Sequence, residues 1–517
     1  MISKIIFIRH GLTEGNLKHW YYGGVDIPLS EKGLRQIEWN KSRRIYPEIP
    51  EDAQCFTTGL VRTAQTLKAI YGRTDYETIP DLREFRFGDF ECRTFGELEQ
   101  EPVFMEWLND KSGDMALPGG GDSWNGFEQR IRRGLNTLID RHWMKQWSHR
   151  HSGKDAVTVM ICHGGPISKM MDMMFPGIAM TFWDWLPDPG YGYEVEFAGN
   201  RPVQYRRLTD LKKLGFGMRN LVESRAGQNE HREMIDYFLM TGHRYFDVDP
   251  SYDDGYAERF FRETVAEKTA RDEFYLASGL PVSRIEKAEQ AGSQFESSLS
   301  ACGVSSFDYY LLHDLSGDNA ERAESLGLYD FLEREKKNGR IGKAGISFFG
   351  EPEQLEQILR RRGELIDYVE IPLDYEDWAR GGTGRKCYEV TRRLYHPAIL
   401  TRPFGGGVLA DPPDEAKACL TKEEDSGAPE QRSEDMWDVG EDPEERMGIE
   451  RTPAGWALRF TLGIPRVTCV SSGMTTLEQM NDDVMTDWTY TRMTDAEREK
   501  LRNAARAMQK GKKNKEN

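Results

Sequence analysis

The chain has 517 residues, more than one hydrophobic core of ordinary size accommodates, so two or more domains are expected. Its formal net charge of −17 argues against a nucleic-acid partner, because neutralising backbone phosphates requires a basic surface. The seven cysteines form no C-x-x-C pair, which indicates a reducing compartment and gives no zinc or iron–sulfur signature.

The sequence opens with an apolar strand pattern, so we expect no signal peptide. No apolar run reaches the length that spans a bilayer, so no membrane partner is expected. These patterns predict a cytoplasmic protein and leave its oligomeric state open.

Two apolar runs in the first 200 residues end in a His-Gly pair. Residues 5–8 lead into Arg9-His10-Gly11, and residues 156–162 lead into His163-Gly164. Short apolar runs that stop at glycine are typical of buried parallel strands, and such sheets form ligand sites at the carboxyl ends of their strands. Taken alone, each histidine could equally be a hydrogen-bonded structural residue.

The segments between these two strands supply an arginine and a glutamate. A predicted strand over 55–58 is followed by a predicted helix over 61–70, which carries Arg62. The stretch 82–91 mixes charges and aromatic residues without periodicity, as binding loops do, and it contains Glu84.

These motifs, in this order, resemble the histidine phosphatase superfamily over about residues 1–200. The resemblance implies a three-layer α/β/α, phosphoglycerate-mutase-like domain over 1–205, with His10 as the nucleophile that becomes phosphorylated and Glu84 as the proton donor. It further implies a phosphate-binding set around the nucleophile, namely Arg9, Asn16, Arg62 and His163. A neutral imidazole is a competent nucleophile near neutral pH, and arginine forks match phosphoryl oxygens, so neither a metal nor a cofactor is required.

Three further segments look like the α-ribazole phosphatase branch of that superfamily: 22–30, 87–91 and 117–123. Cys92 and Asp122 depart from the branch pattern, which leaves the phosphorylated substrate undefined. The domain lacks the long substrate-enclosing segments of true mutases. We therefore expect a phosphatase that acts on a small phosphorylated metabolite.

Beyond a predicted hairpin over 194–205, helical and strand patterns alternate for about 300 residues. Predicted strands over 245–249, 274–278, 309–313 and 343–347 are separated by predicted helices. Repeated βα units of this kind predict a parallel (β/α)8 TIM barrel over 206–505, so the fold class is α/β throughout.

The barrel sequence resembles the aldo/keto reductase family, and within it the ferredoxin-type branch without the iron–sulfur segment. Matching stretches are 245–252, 307–313, 345–348, 402–410 and 471–479. The resemblance implies catalytic roles for Asp247, Tyr252 and His313. It implies NADP or NAD as cofactor, with contacts from five residues: Ser347, Glu370, Ser471, Gly473 and Gln479.

The lysine of that family's active site is absent, because Gly279 stands at its position. A nearby ammonium normally lowers the high pKa of the catalytic tyrosine, so Tyr252 should be a poorer acid without it. Glu370 and Asp482 add negative charge where a nicotinamide cofactor would bind. Three alternatives follow for the barrel: an impaired reductase that still turns over slowly, a bifunctional partner with full reductase activity, or a non-catalytic sensing or docking module.

Two charged segments complete the chain. The insertion 422–450 carries 12 acidic against three basic residues, a composition typical of a solvated loop, with docking or a lid as the functional alternative. The end of the chain, 506–517, is a short basic tail that we expect to fray.

Overall fold

The computed structural model describes residues 2–150, 154–176, 182–209, 211–221, 227–394, 396–421, 451–490 and 493–516. It divides the chain into two compact units, Met1–Asp210 and Leu211–Asn517. The acidic insertion 422–450 lies outside the described residues.

The N-terminal unit is built on a six-stranded sheet with the order β4-β3-β6-β1-β7-β8. The strands β4, β3, β6 and β1 run parallel, while β7 and β8 form the antiparallel hairpin at one edge. A separate short ribbon pairs β2 with β5. The strands are β1 (Ile2–Arg9), β2 (Trp20–Tyr21), β3 (Gln54–Thr57), β4 (Glu77–Thr78), β5 (Arg93–Thr94), β6 (Val157–Cys162), β7 (Gly192–Ala198) and β8 (Arg201–Leu208).

Both faces of this sheet are buried, because alternate residues of β1 enter two different cores. Ile5 and Phe7 pack into one apolar cluster, and Ile6 and Ile8 pack into another. The expected three-layer α/β/α arrangement is confirmed. The α-helices of this unit are Glu14–Leu17, Glu31–Ser42, Val61–Tyr71, Phe95–Leu98, Pro102–Asn109, Trp124–Ser148 and Gly164–Met174, with 3-10 turns at Pro80–Leu82, Gly88–Phe90 and Phe182–Trp185.

The C-terminal unit is a closed barrel of eight parallel strands in which β16 pairs with β9. The predicted (β/α)8 barrel is therefore confirmed. Its strands are β9 (Leu214–Gly217), β10 (Tyr245–Asp247), β11 (Tyr275–Pro281), β12 (Phe307–Leu315), β13 (Ile341–Phe348), β14 (Tyr368–Pro372), β15 (Ala398–Thr401) and β16 (Val467–Ser472).

Helices surround the barrel and cover the outward side chains of its strands. The α-helices are Gln228–Met240, Tyr256–Phe261, Ala288–Cys302, Gly317–Ser325, Leu328–Lys337, Pro352–Arg362, Tyr375–Arg380, Thr383–Arg393, Asp414–Thr421, Pro453–Leu462, Leu477–Trp488 and Asp495–Glu516. A π-helical turn follows at Arg262–Ala266, and 3-10 turns lie at Met218–Asn220, Tyr252–Gly255, Arg271–Glu273, Val282–Arg284 and Gly405–Gly407. The last helix, Asp495–Glu516, includes most of the basic tail at 506–517.

Aromatic rings fill the lower interior of the barrel. Tyr245, Tyr309 and Tyr368 come from β10, β12 and β14, and the Tyr309 ring meets the other two edge-on with centroids 5.4 and 5.2 Å away. Rings from alternate strands make contact only inside a barrel. Gly345 on the intervening β13 leaves room for them, because a Cβ there would lie 2.5 Å from the Tyr368 ring.

Among the residues with described positions, no helix combines the length and the apolar character needed to cross a bilayer. The same residues contain no group of three or more His, Cys, Asp or Glu side chains placed to hold a metal ion.

We predict that Gly345→Ala destabilises the barrel, since the added methyl group overlaps the Tyr368 ring. Overpacking of this kind costs about 1–3 kcal/mol. The matched control is Gly292→Ala, in the helix Ala288–Cys302, where a Cβ meets nothing within 4 Å. That control should raise the unfolding free energy by about 0.5–1 kcal/mol, as alanine does in helices. Urea unfolding followed by circular dichroism measures both, and an equal response would contradict the packing argument.

Candidate functional site

The N-terminal site is formed where β1 and β6 end side by side. These strands are parallel and place Arg9 opposite Cys162, so the residues that follow them are neighbours. His10 N donates to the carbonyl of Cys162 (3.0 Å), and the ring centroids of His10 and His163 lie 5.2 Å apart. Both side chains are buried.

The hydrogen bond of His10 defines which ring nitrogen is reactive. His10 Nδ1 lies 2.8 Å from the carbonyl oxygen of Gly11. A carbonyl oxygen only accepts, so Nδ1 carries the hydrogen and Nε2 carries the lone pair. Burial lowers the pKa of His10 well below 6.5, and the charges of Arg62 and Arg9 lower it further. The imidazole is therefore neutral near pH 7 with Nε2 available as a nucleophile.

Two arginines, half-buried Arg9 and buried Arg62, flank His10 and bond to the main chain. Arg9 Nη1 donates to the carbonyl of Pro187 (2.8 Å), and Arg62 donates to the carbonyls of Val25 (2.8 Å) and Gly23 (3.2 Å). Their Nε atoms remain without a hydrogen-bond partner although both are buried. Buried unpaired donors are uncommon in folded proteins, and these donors suit an anion.

His163 contributes a further unpaired nitrogen to the same site. Its Nε2 lies 2.8 Å from the hydroxyl of Thr58, while its buried Nδ1 has no partner among the described residues. Burial lowers the pKa of His163 well below 6.5, and the charge of Arg62 lowers it further. Thr58 was not predicted from the sequence, although its place directly after β3 follows the strand-end rule that indicated the histidines.

Glu84 lies beside the helix that begins after His163. Its Oε2 accepts from Gly165 N (3.0 Å) and its Oε1 accepts from Phe85 N (2.9 Å), so both carboxylate oxygens are oriented by the backbone. A Cβ on Gly165 would lie 2.3 Å from Glu84 Oε1, which requires glycine at this close approach. Arg130 Nη2 donates to the carbonyl of Glu84 (3.1 Å) and holds the chain from behind.

Asn16 is oriented by residues at the start of a short helix close to the N-terminal site. Its Oδ1 accepts from Thr13 N and from the Thr13 hydroxyl, both at 3.1 Å, in a capping box at the start of the helix Glu14–Leu17. Thr13 in turn lies 2.5 Å from the Tyr22 hydroxyl, and the Arg62 guanidinium lies 5.2 Å from the centre of the Tyr22 ring. Asn16 thus helps to position Thr13 and, through it, the Tyr22 ring beside Arg62.

A glutamate that the sequence did not single out as a site residue holds the loop to which Arg62 is bonded. Glu91 accepts from four main-chain N–H groups, those of Gly23 (2.9 Å), Gly24 (2.8 Å), Val25 (3.5 Å) and Phe87 (2.9 Å). The loop packs tightly, since a Cβ on Gly23 would lie 1.8 Å from the Phe85 carbonyl oxygen.

The second candidate site is at the carboxyl ends of the barrel strands. Tyr252 and His313 are buried with ring centroids 6.0 Å apart, and Asp247 Oδ2 accepts from the Ser471 hydroxyl (3.0 Å). Ser347 Oγ donates to Glu370 Oε1 (3.3 Å) on the adjacent strand. Burial raises the pKa of Asp247 to about 6 and that of Glu370 to about 8.

The other predicted cofactor contacts lie near the helix Leu477–Trp488. The carbonyl of Gly473 accepts from Asn220 Nδ2 (3.2 Å). Gln479 Oε1 accepts from Thr475 N (2.8 Å) and from the Thr475 hydroxyl (3.0 Å), so this side chain closes the loop before its own helix. The helix contains no Lys or Arg.

Asp249 occupies the space around the missing lysine. A Cβ on Gly279 would lie 2.8 Å from Asp249 Oδ2 and 3.0 Å from His313 Cβ. The same Asp249 oxygen lies 2.9 Å from His313 Nδ1. The sequence had not indicated Asp249 as a site residue.

We predict that the folded N-terminal unit loses stability as the pH falls below about 6.5, the ordinary histidine pKa. His10 and His163 have lowered pKa values when folded, so the unfolded chain binds more protons in that range. Each histidine then removes up to about 1.4 kcal/mol per pH unit, a contribution that is absent above pH 6.5.

The free energy of urea unfolding between about pH 7 and pH 5 measures this slope. His163→Gln should make the slope shallower by one proton, whereas His19→Gln, at an exposed position, should leave it unchanged. An unaltered slope in the His163 variant would show that this imidazole titrates normally in the folded state.

Comparison with known proteins assigns each unit to a family. A model of the histidine phosphatase superfamily (branch 1) matches residues 5–208, and a model of the aldo/keto reductase family matches residues 213–497. Among curated proteins, the adenosylcobalamin/alpha-ribazole phosphatase of Escherichia coli (strain K12) is 25% identical over 216 residues, which cover 41% of this chain and 98% of that protein. The phosphoglycerate mutase-like protein 4 of Arabidopsis thaliana is 26% identical over 178 residues, which cover 34% of this chain and 72% of that protein.

Among solved structures, an aldo-keto reductase from Klebsiella pneumoniae in complex with NADPH aligns with a TM-score of 0.42 and 17% identity, covering 60% of this chain and 93% of that one. Both resemblances stated from the sequence are confirmed by the family matches. The chain therefore belongs to the aldo/keto reductase family through its C-terminal unit and carries a histidine phosphatase domain as its N-terminal unit.

Proposed function

We propose that the N-terminal unit hydrolyses a small phosphomonoester, without a metal, through a phosphohistidine at His10. One observation carries the proposal: three buried nitrogens without partners, Arg9 Nε, Arg62 Nε and His163 Nδ1, surround a neutral nucleophilic imidazole. A phosphoryl group offers three charged oxygens, so it would satisfy all three donors at once. A carboxylate has only two oxygens and would leave one of the three donors unpaired.

The reaction takes two displacements. In the first, His10 Nε2 attacks phosphorus, the bond from phosphorus to the ester oxygen breaks, and the departing oxygen takes a proton from Glu84. In the second, water attacks the phosphohistidine, Glu84 accepts the water proton, and phosphate leaves with His10 restored. The arginines and His163 hold the phosphoryl oxygens through both steps, where charge stabilisation supplies most of the rate enhancement.

The similar proteins support a phosphatase and leave a mutase as the alternative. One curated relative is named for adenosylcobalamin and alpha-ribazole phosphate hydrolysis, while another, from Latilactobacillus sakei, is named as a 2,3-bisphosphoglycerate-dependent phosphoglycerate mutase and is 34% identical over 98 residues. The match to the phosphatase spans 98% of that protein, against 41% of the mutase. We therefore favour hydrolysis of a small phosphorylated metabolite over transfer between two positions of one sugar acid.

For the barrel, the second candidate function is reduction of an aldehyde or ketone with NADP or NAD. Asp247, Tyr252 and His313 gather at one end of the barrel, which favours retained chemistry over a purely structural role. The residues present fit a nicotinamide: the Ser347–Glu370 pair offers acceptors for a carboxamide, and the loop Gly405–Gly407 has positive φ throughout, exposing its backbone to a pyrophosphate. When bound, a reduced nicotinamide supplies a hydride to the carbonyl carbon.

The test of the phosphatase proposal compares His10→Asn with Glu84→Gln. His10→Asn should abolish hydrolysis of every phosphomonoester and the acid-labile 32P label on the protein. Glu84→Gln should slow hydrolysis of an alkyl phosphate by about 100-fold or more, the contribution of a general acid. In the first turnover, the same variant should release nitrophenolate from 4-nitrophenyl phosphate at a much less reduced rate, because nitrophenolate leaves without a proton, so the two leaving groups are compared on that first displacement.

The matched control is Glu99→Gln, at an exposed position in the same unit, which should behave as wild type with both substrates. Undiminished hydrolysis by the His10 variant would refute the phosphohistidine. Equal losses with both leaving groups would remove Glu84 from the role of proton donor.

One titration with cofactor distinguishes the reductase, sensing and docking alternatives for the barrel. We expect reduced nicotinamide fluorescence to change when NADPH or NADH is added to the full chain, with Ser347→Ala weakening the binding. A sensing module would instead alter phosphatase kinetics when cofactor is added, without oxidising it. If the fluorescence does not change even at the highest cofactor concentration, the barrel does not bind the cofactor, and the docking alternative remains.

A further inference from the structure

The position of the missing lysine is filled by another charged group rather than left vacant. A side chain at Gly279 would begin 2.8 Å from Asp249 Oδ2, so residue 249 and any larger residue at 279 compete for one space. Asp249 is almost fully buried, at 2% exposure. The site has therefore exchanged a cation at one position for an anion at another.

Asp249 is oriented through one of its oxygens and approaches His313 with the other. Oδ1 accepts from Ser251 N (2.7 Å) and from the Ser251 hydroxyl, which orients the carboxylate. Oδ2 lies 2.9 Å from His313 Nδ1, and His313 is itself only 4% exposed. A buried carboxylate at this distance stabilises the protonated imidazole.

The charges around the Tyr252 and His313 rings make these two side chains unequal as acids. Tyr252 faces the carboxyl groups of Asp247, Asp249 and Glu370, with the Arg219 guanidinium 5.7 Å from its ring centre. Burial, reinforced by those carboxyl groups, raises the pKa of Tyr252 well above 10. Its phenol holds its proton tightly and would give it up to an alkoxide only slowly.

At His313, burial and the surrounding carboxyl groups shift the pKa in opposite directions. Around it lie the carboxyl groups of Asp249, Asp314 and Glu370, with Asp247 and the neutral Tyr252 nearby. Burial opposes its charge, but the contact with Asp249 and the other carboxyl groups outweigh burial and raise the pKa of His313 to about 9. Its Nε2 lies 3.6 Å from Asp314, whose side chain is 42% exposed and connects this nitrogen to solvent.

We propose that His313, held by Asp249 in the space of the missing lysine, is the proton donor of the barrel, and that Tyr252 only positions the substrate oxygen. The proposal rests on the proposed carbonyl reduction. The carbonyl carbon gains a hydride from a reduced nicotinamide, the carbonyl π electrons move to oxygen, and that oxygen takes the proton of His313 Nε2. The nicotinamide is oxidised, the carbonyl becomes an alcohol, and His313 regains a proton from solvent past Asp314.

The first experiment ranks the two candidate donors in the full chain, with NADPH or NADH and 4-nitrobenzaldehyde as the probe. We expect His313→Gln to lower kcat by about 100-fold or more, as the loss of a general acid does. Tyr252→Phe should raise KM and leave kcat within about threefold, since it loses a positioning contact and keeps the acid. Circular dichroism verifies that each variant is folded.

A reversed ranking, with Tyr252→Phe as damaging to kcat as His313→Gln, would overturn the proposal while leaving reduction itself established. Wild-type protein that neither binds cofactor nor reduces the probe would instead refute the proposed reductase function, and the donor assignment with it.

The second experiment measures the protonation state of His313 beside Asp249 directly and requires no turnover. In long-range 1H–15N spectra, the His313 imidazole should remain doubly protonated at about pH 8 in wild type and become neutral there in Asp249→Asn. The His313→Gln variant assigns the resonance. An imidazole that is already neutral at pH 7 in wild type, or that is unchanged by the Asp249 substitution, would overturn the proposal.

A reciprocal exchange provides the sharpest control. Gly279→Ala alone should disturb the pair, because its Cβ overlaps Asp249 Oδ2, and it should lower kcat as Asp249→Asn does. The double variant Asp249→Ala/Gly279→Lys removes the competitor and restores an ammonium beside Tyr252. In that background, Tyr252→Phe should become far more damaging to kcat than in wild type. An effect of the same size in both backgrounds would contradict the exchange.

Discussion

The parallel pairing of β1 with β6 is the contact on which the N-terminal site depends. Because Arg9 lies opposite Cys162, the two residues that follow these strands have to be neighbours, and both are histidines. The sheet lies between two apolar cores, so a shift of register by one residue would exchange the side chains that fill the two cores. The strand register, rather than any loop, therefore sets the distance between His10 and His163.

The N-terminal site contains buried nitrogens that have no hydrogen-bond partner among the described residues and could bind an anion. Leaving a buried donor unpaired costs about 1–3 kcal/mol, and Arg9, Arg62 and His163 each retain such a nitrogen. Main-chain carbonyls hold the arginine side chains, Glu91 holds the loop that supplies the carbonyls bonded to Arg62, and the Thr58 hydroxyl contacts His163. Donors fixed in this way need no reorganisation when charge develops on a phosphoryl group, which is the property that makes them effective in catalysis.

The barrel uses the same strand-end rule with a different outcome. Its closed ring of parallel strands brings Asp247, Ser347, Glu370 and Ser471 to one end, as parallel strands require. Within that end, the interaction of Asp249 with His313 replaces the cation that the family places there, so the electrostatic balance moves from the tyrosine to the histidine. The fold kept its geometry while the proton chemistry changed.

The sequence by itself determined both folds, the strand ends and most of the candidate residues, because period-2 and period-3.6 patterns and the His-Gly strand endings are local properties of the chain. The resemblance to the aldo/keto reductases implied that Gly279 stands at the position of that family's lysine. Only the tertiary structure decided what stands there, since Asp249 and Gly279 are 30 residues apart and nothing local couples them. It likewise assigned Asn16 and Gln479 to helix starts and brought Thr58 to His163 across 105 positions. Side-chain partners of this kind depend on which chain segments pack together, and no periodicity in the sequence encodes that.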